Sequence, residues 1–235
     1  MEAAKVATEL NLVEVFAKFM SEGGIFMWII LSIWIFGVLI GMERIKSLLF
    51  FDINGNGLMG LIKKHVLLNE VPKAIQVCSS SKALLPQVLA SGLKRANQDK
   101  EQIQDAMESS MLEVIPQVDK RLNYLSLIAN VSTLVGLLGT IYGLIESFSA
   151  VALADPANKA KLLALGISKA MNTTAIGLIS AISIMVLHSI LTSKADKISN
   201  DIEQFSTKLL DLLGTKRLIN AEVAPPSTDS IKKTA

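Results

Sequence analysis

Three long stretches of this chain carry no charged side chain, and they constrain its fold more than any other property. They are residues 24–42, 125–145 and 170–192, the last of which contains only His188 as a titratable group. At about 1.5 Å per residue the first stretch covers roughly 28 Å, which is the thickness of the hydrocarbon layer of a bilayer. A soluble helix is apolar on one face, whereas these stretches are apolar on every side. We therefore predict an all-α membrane protein with transmembrane helices at residues 23–43, 125–146 and 170–192.

The composition of the chain agrees with this prediction and excludes several other classes. Hydrophobic residues make up 51% and charged residues only 19%, which is too apolar for an ordinary soluble domain. The 23 basic and 21 acidic residues leave no excess positive charge for binding nucleic acid. One Cys and two His cannot form a four-ligand zinc site or a disulfide framework. We expect no metal, no cofactor, no nucleic-acid partner and, because no nucleophile or acid–base cluster lies near the spans, no catalytic residue and no enzyme activity.

Lys and Arg beside the spans predict the orientation, because cytoplasmic flanks of membrane helices hold more of them. The basic residues on the flanks that we assign to the cytoplasm are Arg44, Lys46, Lys120, Arg121, Lys194 and Lys197. We therefore expect a periplasmic N-terminus and a cytoplasmic C-terminus. The remaining segments are predicted as an interfacial amphipathic helix (1–22), a cytoplasmic helical domain (44–124), a short periplasmic loop with the start of helix three (147–169), a cytoplasmic helix (193–214) and a disordered tail (215–235).

Two cytoplasmic segments show helical spacing of apolar residues. After an N-cap at Asn97 or Asp99, a stripe of apolar residues predicts a helix that continues into span two; its members are Ile103, Met107, Met111, Val114 and Val118. A second stripe follows span three, up to a C-cap predicted at Gly214; it comprises Ile198, Ile202, Phe205, Leu209 and Leu212. We therefore expect both spans to have long cytoplasmic extensions.

Span two differs from span one in the size of its side chains. Span one carries bulky residues throughout, whereas span two repeats small residues at steps of four, three and four: Ser132, Gly136, Gly139 and Gly143. Such a stripe allows close approach of a second helix in a membrane. We predict that span two packs tightly against another span.

Hydroxyl and amide groups occur at membrane depth in spans two and three. They include Thr133 and Thr140 in span two and Asn172, Thr173 and Thr174 in span three. One interpretation is that the hydroxyls bond to carbonyls of their own helix or join neighbouring helices. The other is a weakly polar lining for protons. Neither span contains Asp or Glu in the middle of the membrane, so a proton path through them requires a carboxylate from a second protein.

These residues carry a resemblance to a known family. The run RLNYLSLIANVSTLVGLLGTIYGLIESF, followed by GISKAMNTTAIGLISAISIMV, resembles the signature hairpin of the MotA/TolQ/ExbB proton-channel family, and most of all its ExbB and TolQ branch. The three-span layout with one large cytoplasmic segment is similar as well. The resemblance covers roughly residues 20–214 and is strongest over 120–190.

The resemblance implies a homo-oligomer, typically a pentamer, in the bacterial inner membrane. Spans two and three of the subunits would line a pore that holds the single-span helices of an ExbD- or TolR-like partner, whose Asp takes and releases the proton. Carried over by motif, Thr140 in GLLGT and Thr174 before AIGL match the pore threonines. Thr133, Asn172, Thr173, Glu146 and Lys169 are candidates for the pore lining or its mouth.

One position departs from the family pattern. Related chains commonly have Glu where this chain has Lys169, in GISKA. The base reverses the local charge, so the role of that Glu does not transfer to Lys169. Glu146 is a candidate for a compensating carboxylate, and the alternative is that it extends to the membrane interface.

The function that the resemblance implies is conversion of the proton motive force into mechanical work. In the ExbB and TolQ branch this work energises outer-membrane transport or envelope maintenance, in some systems through a TonB- or TolA-like protein. Two alternatives remain open at this point, namely a gliding- or flagellar-type stator subunit and a membrane scaffold that does not conduct.

Overall fold

The computed structural model describes Met20 and residues 23–223, with side chains up to Lys216. All elements in this part of the chain are α-helices. They are α1 (Ile25–Phe51), α2 (Gly55–Leu67), α3 (Val71–Ser79), α4 (Leu84–Lys94), α5 (Lys100–Asp119), α6 (Leu122–Leu153) and α7 (Pro156–Val223). Apart from Met20, the amphipathic helix predicted at 1–22 lies outside the described residues, and so does the chain beyond 223.

Three helices within the described range are long and apolar enough to cross a membrane, namely α1, α6 and α7. Large apolar side chains on all three remain exposed, for example Phe36, Leu134 and Ile182. In water such surfaces are unfavourable, whereas in a bilayer they contact lipid tails or neighbouring helices. The predicted all-helical, multi-pass membrane architecture is therefore confirmed at this level.

The chain divides into two compact units, of which the first contains the three apolar segments. It comprises Met1–Ile45 and Arg121–Thr192. One face of α1 packs against α7: a Cβ built on Gly37 would lie 2.5 Å from Cδ1 of Ile184, and one built on Gly41 would lie 2.3 Å from Cδ2 of Leu187. The indole Nε1 of Trp34 donates to Oγ of Ser183 at 2.8 Å. Gly37 and Gly41 thus leave room for side chains of the third span, and the hydrogen bond of Trp34 joins the two helices.

The second unit comprises Lys46–Lys120 and Ser193–Ala235. Its core uses both apolar stripes seen in the sequence. The structure buries Ile103, Met107, Val114 and Val118 of α5 and Ile198, Ile202, Phe205 and Leu209 of α7. Asp99 is the N-cap of α5, with φ −65° and ψ 157°. Asn54 is the N-cap of α2, and its side-chain oxygen accepts from the backbone amide of Gly57 at 3.1 Å.

The expectation that α5 continues into the second span is wrong. The helix ends at Asp119, and Arg121 takes a left-handed conformation with φ 65° and ψ 0°, immediately before α6. A non-glycine residue in this region costs about 1 kcal/mol and interrupts the helical hydrogen-bond pattern. The guanidinium of Arg121 donates to the carboxylate of Glu43, which stabilises the break.

The predicted C-cap at Gly214 is also wrong. Helix α7 passes through Gly214 and continues to Val223. A Cβ added at Gly214 would meet no atom within 4 Å, so this glycine is not required by close packing. The first proline after it is Pro225, and a proline disfavours helix at the residue before it.

An ion-pair cluster in the second unit joins the residue after α1 to α7. Lys194 donates to Oδ2 of Asp52, and the ammonium of Lys197 lies 4.0 Å from Oδ1 of the same carboxylate. The hydrogen bond from Lys194 is the main cause that lowers the pKa of Asp52 below its ordinary value, and the charges of both lysines add to it.

We expect the ion pairs of Asp52 to make the stability of the folded protein depend on pH in the acidic range. Because the folded pKa of Asp52 lies below its unfolded value of about 4, the pair contributes stability above that unfolded value, and the stability is lost as the pH falls through the folded pKa. Asp52→Asn is expected to lower the melting temperature at neutral pH and to have a smaller effect at about pH 3, which lies below the unfolded pKa. Thermal melts of the detergent-solubilised protein at both pH values test this, and an equal shift at the two would contradict it.

Candidate functional site

The second and third spans approach one another at two glycines. A Cβ built on Gly177 of α7 would lie 2.9 Å from Cα of Gly136 and 3.0 Å from the carbonyl oxygen of Ser132. A Cβ on Gly136 would in turn lie 3.1 Å from Cα of Gly177. These atoms belong to backbone, which does not move aside as a flexible side chain does. The contact of α6 and α7 therefore depends on glycine at both positions.

The small-residue stripe of α6 continues this contact along the helix. Ser132, Gly136, Gly139 and Gly143 are all buried. A Cβ on Gly139 would meet the side chain of Thr173 at 2.9 Å, and one on Gly143 would meet Cβ of Ala170 at 3.1 Å. This antiparallel register places Thr140 at the depth of Thr173 and Thr174.

Most hydroxyls at this depth donate to carbonyls of their own helix. Thr140 donates to Leu137 at 2.6 Å, Thr133 to Ala129 at 3.2 Å and Thr173 to Ala170 at 2.7 Å. Ser132 does the same, to Ile128 at 2.9 Å. This is the arrangement expected for hydroxyls that have only a helical role. Each oxygen nevertheless keeps lone pairs with which it accepts a further hydrogen bond.

Thr174 differs from these residues because its hydroxyl bonds across the helix pair. Its Oγ1 donates to the carbonyl oxygen of Gly136 on α6 at 3.1 Å. The bond lies beside the glycine contact and is partly buried, whereas Thr173 is 1% exposed. Thr174 thus joins the two helices and remains partly accessible from outside the pair.

Lys169, which stands where related chains commonly have Glu, forms an ion pair. Its ammonium donates to Oε2 of Glu146 on α6 at 2.7 Å, with 32% of the lysine side chain and 51% of the glutamate side chain exposed. Both residues line a cavity of about 350 Å³ between α6 and α7, together with Asn172. The charge of the lysine is therefore compensated within the same subunit, by the carboxylate that the sequence indicated.

We expect that the acidic and basic residues of the Glu146–Lys169 pair can be exchanged for one another with little loss of stability. Glu146→Lys or Lys169→Glu alone places like charges side by side and is expected to destabilise the protein by about 1 kcal/mol. The double exchange restores an opposite pair at the same positions and is expected to recover most of that loss. Melting temperatures of the three variants in detergent measure the coupling. Losses that simply add in the double variant would contradict a direct pair.

Two residues at this site were not singled out from the sequence. Gly177 contacts Gly136 across the two helices. It could have been identified from the sequence because it is the glycine of the TAIGL motif in span three. Ser147 is 4% exposed and lines the cavity, and it continues the small-residue stripe four positions after Gly143. Among the described residues, no group of three or more His, Cys, Asp or Glu is arranged to hold a metal ion.

Comparison with known proteins identifies several relatives of this chain. The MotA/TolQ/ExbB proton channel family matches residues 80–204. A protein described as a putative biopolymer transport protein ExbB homolog, from Methanothermobacter thermautotrophicus, is 27% identical over 184 residues, which cover 77% of this chain and 64% of that protein. The Tol-Pal system protein TolQ of Haemophilus influenzae is 33% identical over 108 residues, or 44% of this chain and 47% of TolQ.

A third relative is the biopolymer transport protein exbB1 of Vibrio cholerae, which is 34% identical over 125 residues, covering 53% of this chain and 55% of exbB1. The chain thus spans between about half and two thirds of the length of these three relatives. The family match covers more than half of the chain and includes α6 and the apolar part of α7. The chain therefore belongs to the MotA/TolQ/ExbB proton channel family.

Proposed function

We propose that this chain is the channel subunit of an ExbB/TolQ-like motor in the bacterial inner membrane, with a periplasmic N-terminus and a cytoplasmic C-terminus. It uses the proton motive force to perform mechanical work through a single-span partner. The observation that carries this proposal is the hairpin of α6 and α7, in which Thr140 and Thr174 share one depth beside a glycine contact. Membership of the MotA/TolQ/ExbB proton channel family supports this role for the hairpin.

The partner supplies the titrating group. Residues 125–145 and 170–192 contain no Asp or Glu, so the hairpin offers hydroxyls but no proton carrier at membrane depth. A protonated carboxyl on an ExbD- or TolR-like helix would donate to the oxygen of Thr140 or Thr174. After losing its proton, the carboxylate would accept from the same hydroxyl, at the cost of the hydrogen bond of about 1 kcal/mol that this hydroxyl now donates to a backbone carbonyl.

The assembly that fits this role is a homo-oligomer, in the family typically a pentamer. Both pore-lining helices retain exposed apolar faces, including Leu137 and Ile141 on α6 and Ile179 and Met185 on α7. Neighbouring subunits, partner helices and lipid together would cover these faces. Residues 44–124 and 193–214 would form the cytoplasmic part of each subunit.

The energy available is sufficient for mechanical work. Moving one proton through 100 mV releases about 2.3 kcal/mol, so a few protons per cycle exceed thermal energy severalfold.

The relatives are named for biopolymer transport and for the Tol-Pal system. For this chain we propose outer-membrane transport or envelope maintenance, acting through a TonB- or TolA-like protein. A gliding- or flagellar-type stator is the alternative within the same family.

A non-conducting scaffold is the candidate from another class. It is favoured by one observation, namely that Thr140 and Thr173 already donate within their own helices. A scaffold needs the glycines of the hairpin but not its hydroxyls, so substitution of the threonines separates the two candidates.

Proton flux in liposomes tests the proposed function. The subunit alone is expected to conduct poorly, and addition of a single-span partner with an intramembrane Asp is expected to start flux driven by an imposed gradient. A partner with that Asp changed to Asn is the control. Strong flux through the subunit alone would contradict the proposal, and so would a lack of flux with a partner that co-purifies.

A further inference from the structure

The cavity beside the Lys169–Glu146 pair differs from the rest of the α6–α7 contact. Gly143, Glu146 and Ser147 of α6 contribute to its lining, as do Gly166, Lys169 and Asn172 of α7. At Gly136 and Gly177 the two helices touch through their backbones. Here the volume is about 350 Å³, enough for about ten water molecules at roughly 30 Å³ each.

A buried hydroxyl in this cavity requires a hydrogen-bond partner. Ser147 is 4% exposed, and within the described residues its Oγ has no partner. A Cβ on Gly166 would lie 2.2 Å from Cβ of Ser147, so α7 closes over this serine from one side. Leaving a buried hydroxyl unsatisfied costs about 1–3 kcal/mol, and a water molecule in a polar, roomy cavity removes that cost.

The cavity also offers groups that keep several waters in place. The amide of Asn172 both donates and accepts, and Glu146 and Lys169 have donors and acceptors beyond those used in their 2.7 Å bond. Asn172 directly precedes Thr173 and Thr174. A chain of water from Ser147 past the ion pair to Asn172 would therefore end next to the threonines.

We propose that this cavity is a hydrated chamber within each subunit, through which protons from the periplasmic side reach Thr174. The inference deepens the proposed function and rests on it for the direction of flow. Hydration itself follows from the cavity and Ser147 alone. Ser147, which packs against Gly166, lies toward the mouth of the chamber, and Asn172, which directly precedes Thr173, lies at its inner end.

Cysteine accessibility tests the chamber without reference to conduction. The chain has one cysteine, Cys78, which is buried, and burial raises the pKa of its thiol to about 11, so it reacts slowly at neutral pH. In a Cys78→Ala background, Ser147→Cys is nearly isosteric. A small, charged methanethiosulfonate reagent is added to right-side-out membranes that contain the subunit with its partner, and in parallel to inverted membranes.

Two control positions match Ser147 in burial. Ser180 is also 4% exposed but does not line the cavity, and Ala170 is 2% exposed and lies next to Lys169 against Gly143. Each is changed to cysteine in the same background. The Ser147→Cys variant is expected to react at least about tenfold faster than either control, and from the periplasmic side. Its modification is expected to stop partner-dependent proton flux, because the attached group fills the chamber.

Other outcomes of the labelling and flux experiments would each contradict a different part of the proposal. Reaction of the Ser147→Cys variant only with a lipophilic maleimide would show that lipid, not water, fills the cavity and would overturn the proposal. Fast labelling from the inverted side alone would overturn the periplasmic route. Labelling without any proton flux in the unmodified complex would leave the chamber in place but contradict the proposed function. Unblocked flux after full modification would remove the chamber from the path.

Discussion

Replacing Thr140 and Thr174 together by valine is expected to reduce partner-dependent proton flux by about two orders of magnitude, which is the usual effect of removing a positioned proton-transfer group. Valine keeps the shape of threonine but has no hydroxyl, so the partner carboxylate loses both its donor and its acceptor. Flux into proteoliposomes, measured with a pH-sensitive dye under an imposed potential, gives the result.

Two further variants separate the hydroxyl from other effects of these substitutions. Thr140→Ser with Thr174→Ser retains both hydroxyls and is expected to retain most of the flux. Thr207 also donates to a carbonyl of its own helix, that of Glu203 at 3.0 Å, but lies in the second unit, so Thr207→Val is a matched control for loss of such a bond. Normal flux in the double valine variant, with normal assembly, would contradict a role of these two hydroxyls in proton transfer.

Stability has to be measured alongside flux, because Thr174 also joins the helices. Loss of its bond to the carbonyl of Gly136 is expected to cost about 1 kcal/mol. Thr140 donates only within its own helix, so Thr140→Val is expected to leave the melting temperature nearly unchanged. A fall in flux without loss of oligomer in the Thr140→Val variant would therefore report on proton transfer alone.

The second large effect is expected at Gly177, where two backbones touch. Gly177→Ala places a Cβ 2.9 Å from Cα of Gly136 and is expected to destabilise the hairpin by about 1–3 kcal/mol. Gly177→Leu is expected to prevent the contact of α6 and α7 altogether. Thermal unfolding in detergent and recovery of the oligomer by gel filtration measure both variants.

Gly214 supplies the matched control for this experiment. It also lies inside α7, but a Cβ there would meet no atom within 4 Å. Gly214→Ala is therefore expected to stabilise the helix by about 0.5–1 kcal/mol, because alanine loses less conformational freedom on folding. Equal effects of alanine at 177 and at 214 would contradict the close contact between the spans.

The sequence predicted best where the physics is local along the chain. The existence of three spans depends on runs of apolar residues, and a helix in a bilayer satisfies its own backbone hydrogen bonds without help from distant residues. The buried stripes of α5 and α7 also follow from spacing within one helix, which is why Ile103, Val114, Ile198 and Leu209 could be identified from the sequence. The hairpin motif could likewise be matched to the family because its residues lie close together in the sequence.

Prediction was weaker at helix ends. Arg121 interrupts the helix with a left-handed backbone, and the compensating bond to Glu43 joins residues 78 positions apart. Gly214 resembled a C-cap, but no turn follows it and α7 continues to Val223. In both cases the local signal is worth about 1 kcal/mol or less, so distant contacts or simple helix propensity decide the outcome.

The sequence by itself determined that this chain is helical, crosses a membrane with three apolar helices and lacks a carboxylate in the middle of its second and third spans. Only the tertiary structure decided which atoms meet. A stripe of small residues indicates that another helix can approach closely. The register that pairs Gly136 with Gly177 and Glu146 with Lys169 depends on the shapes of both helix surfaces, and these shapes are known only from the structure. The cavity at Ser147 also depends on that register, because its lining combines residues of α6 with residues of α7.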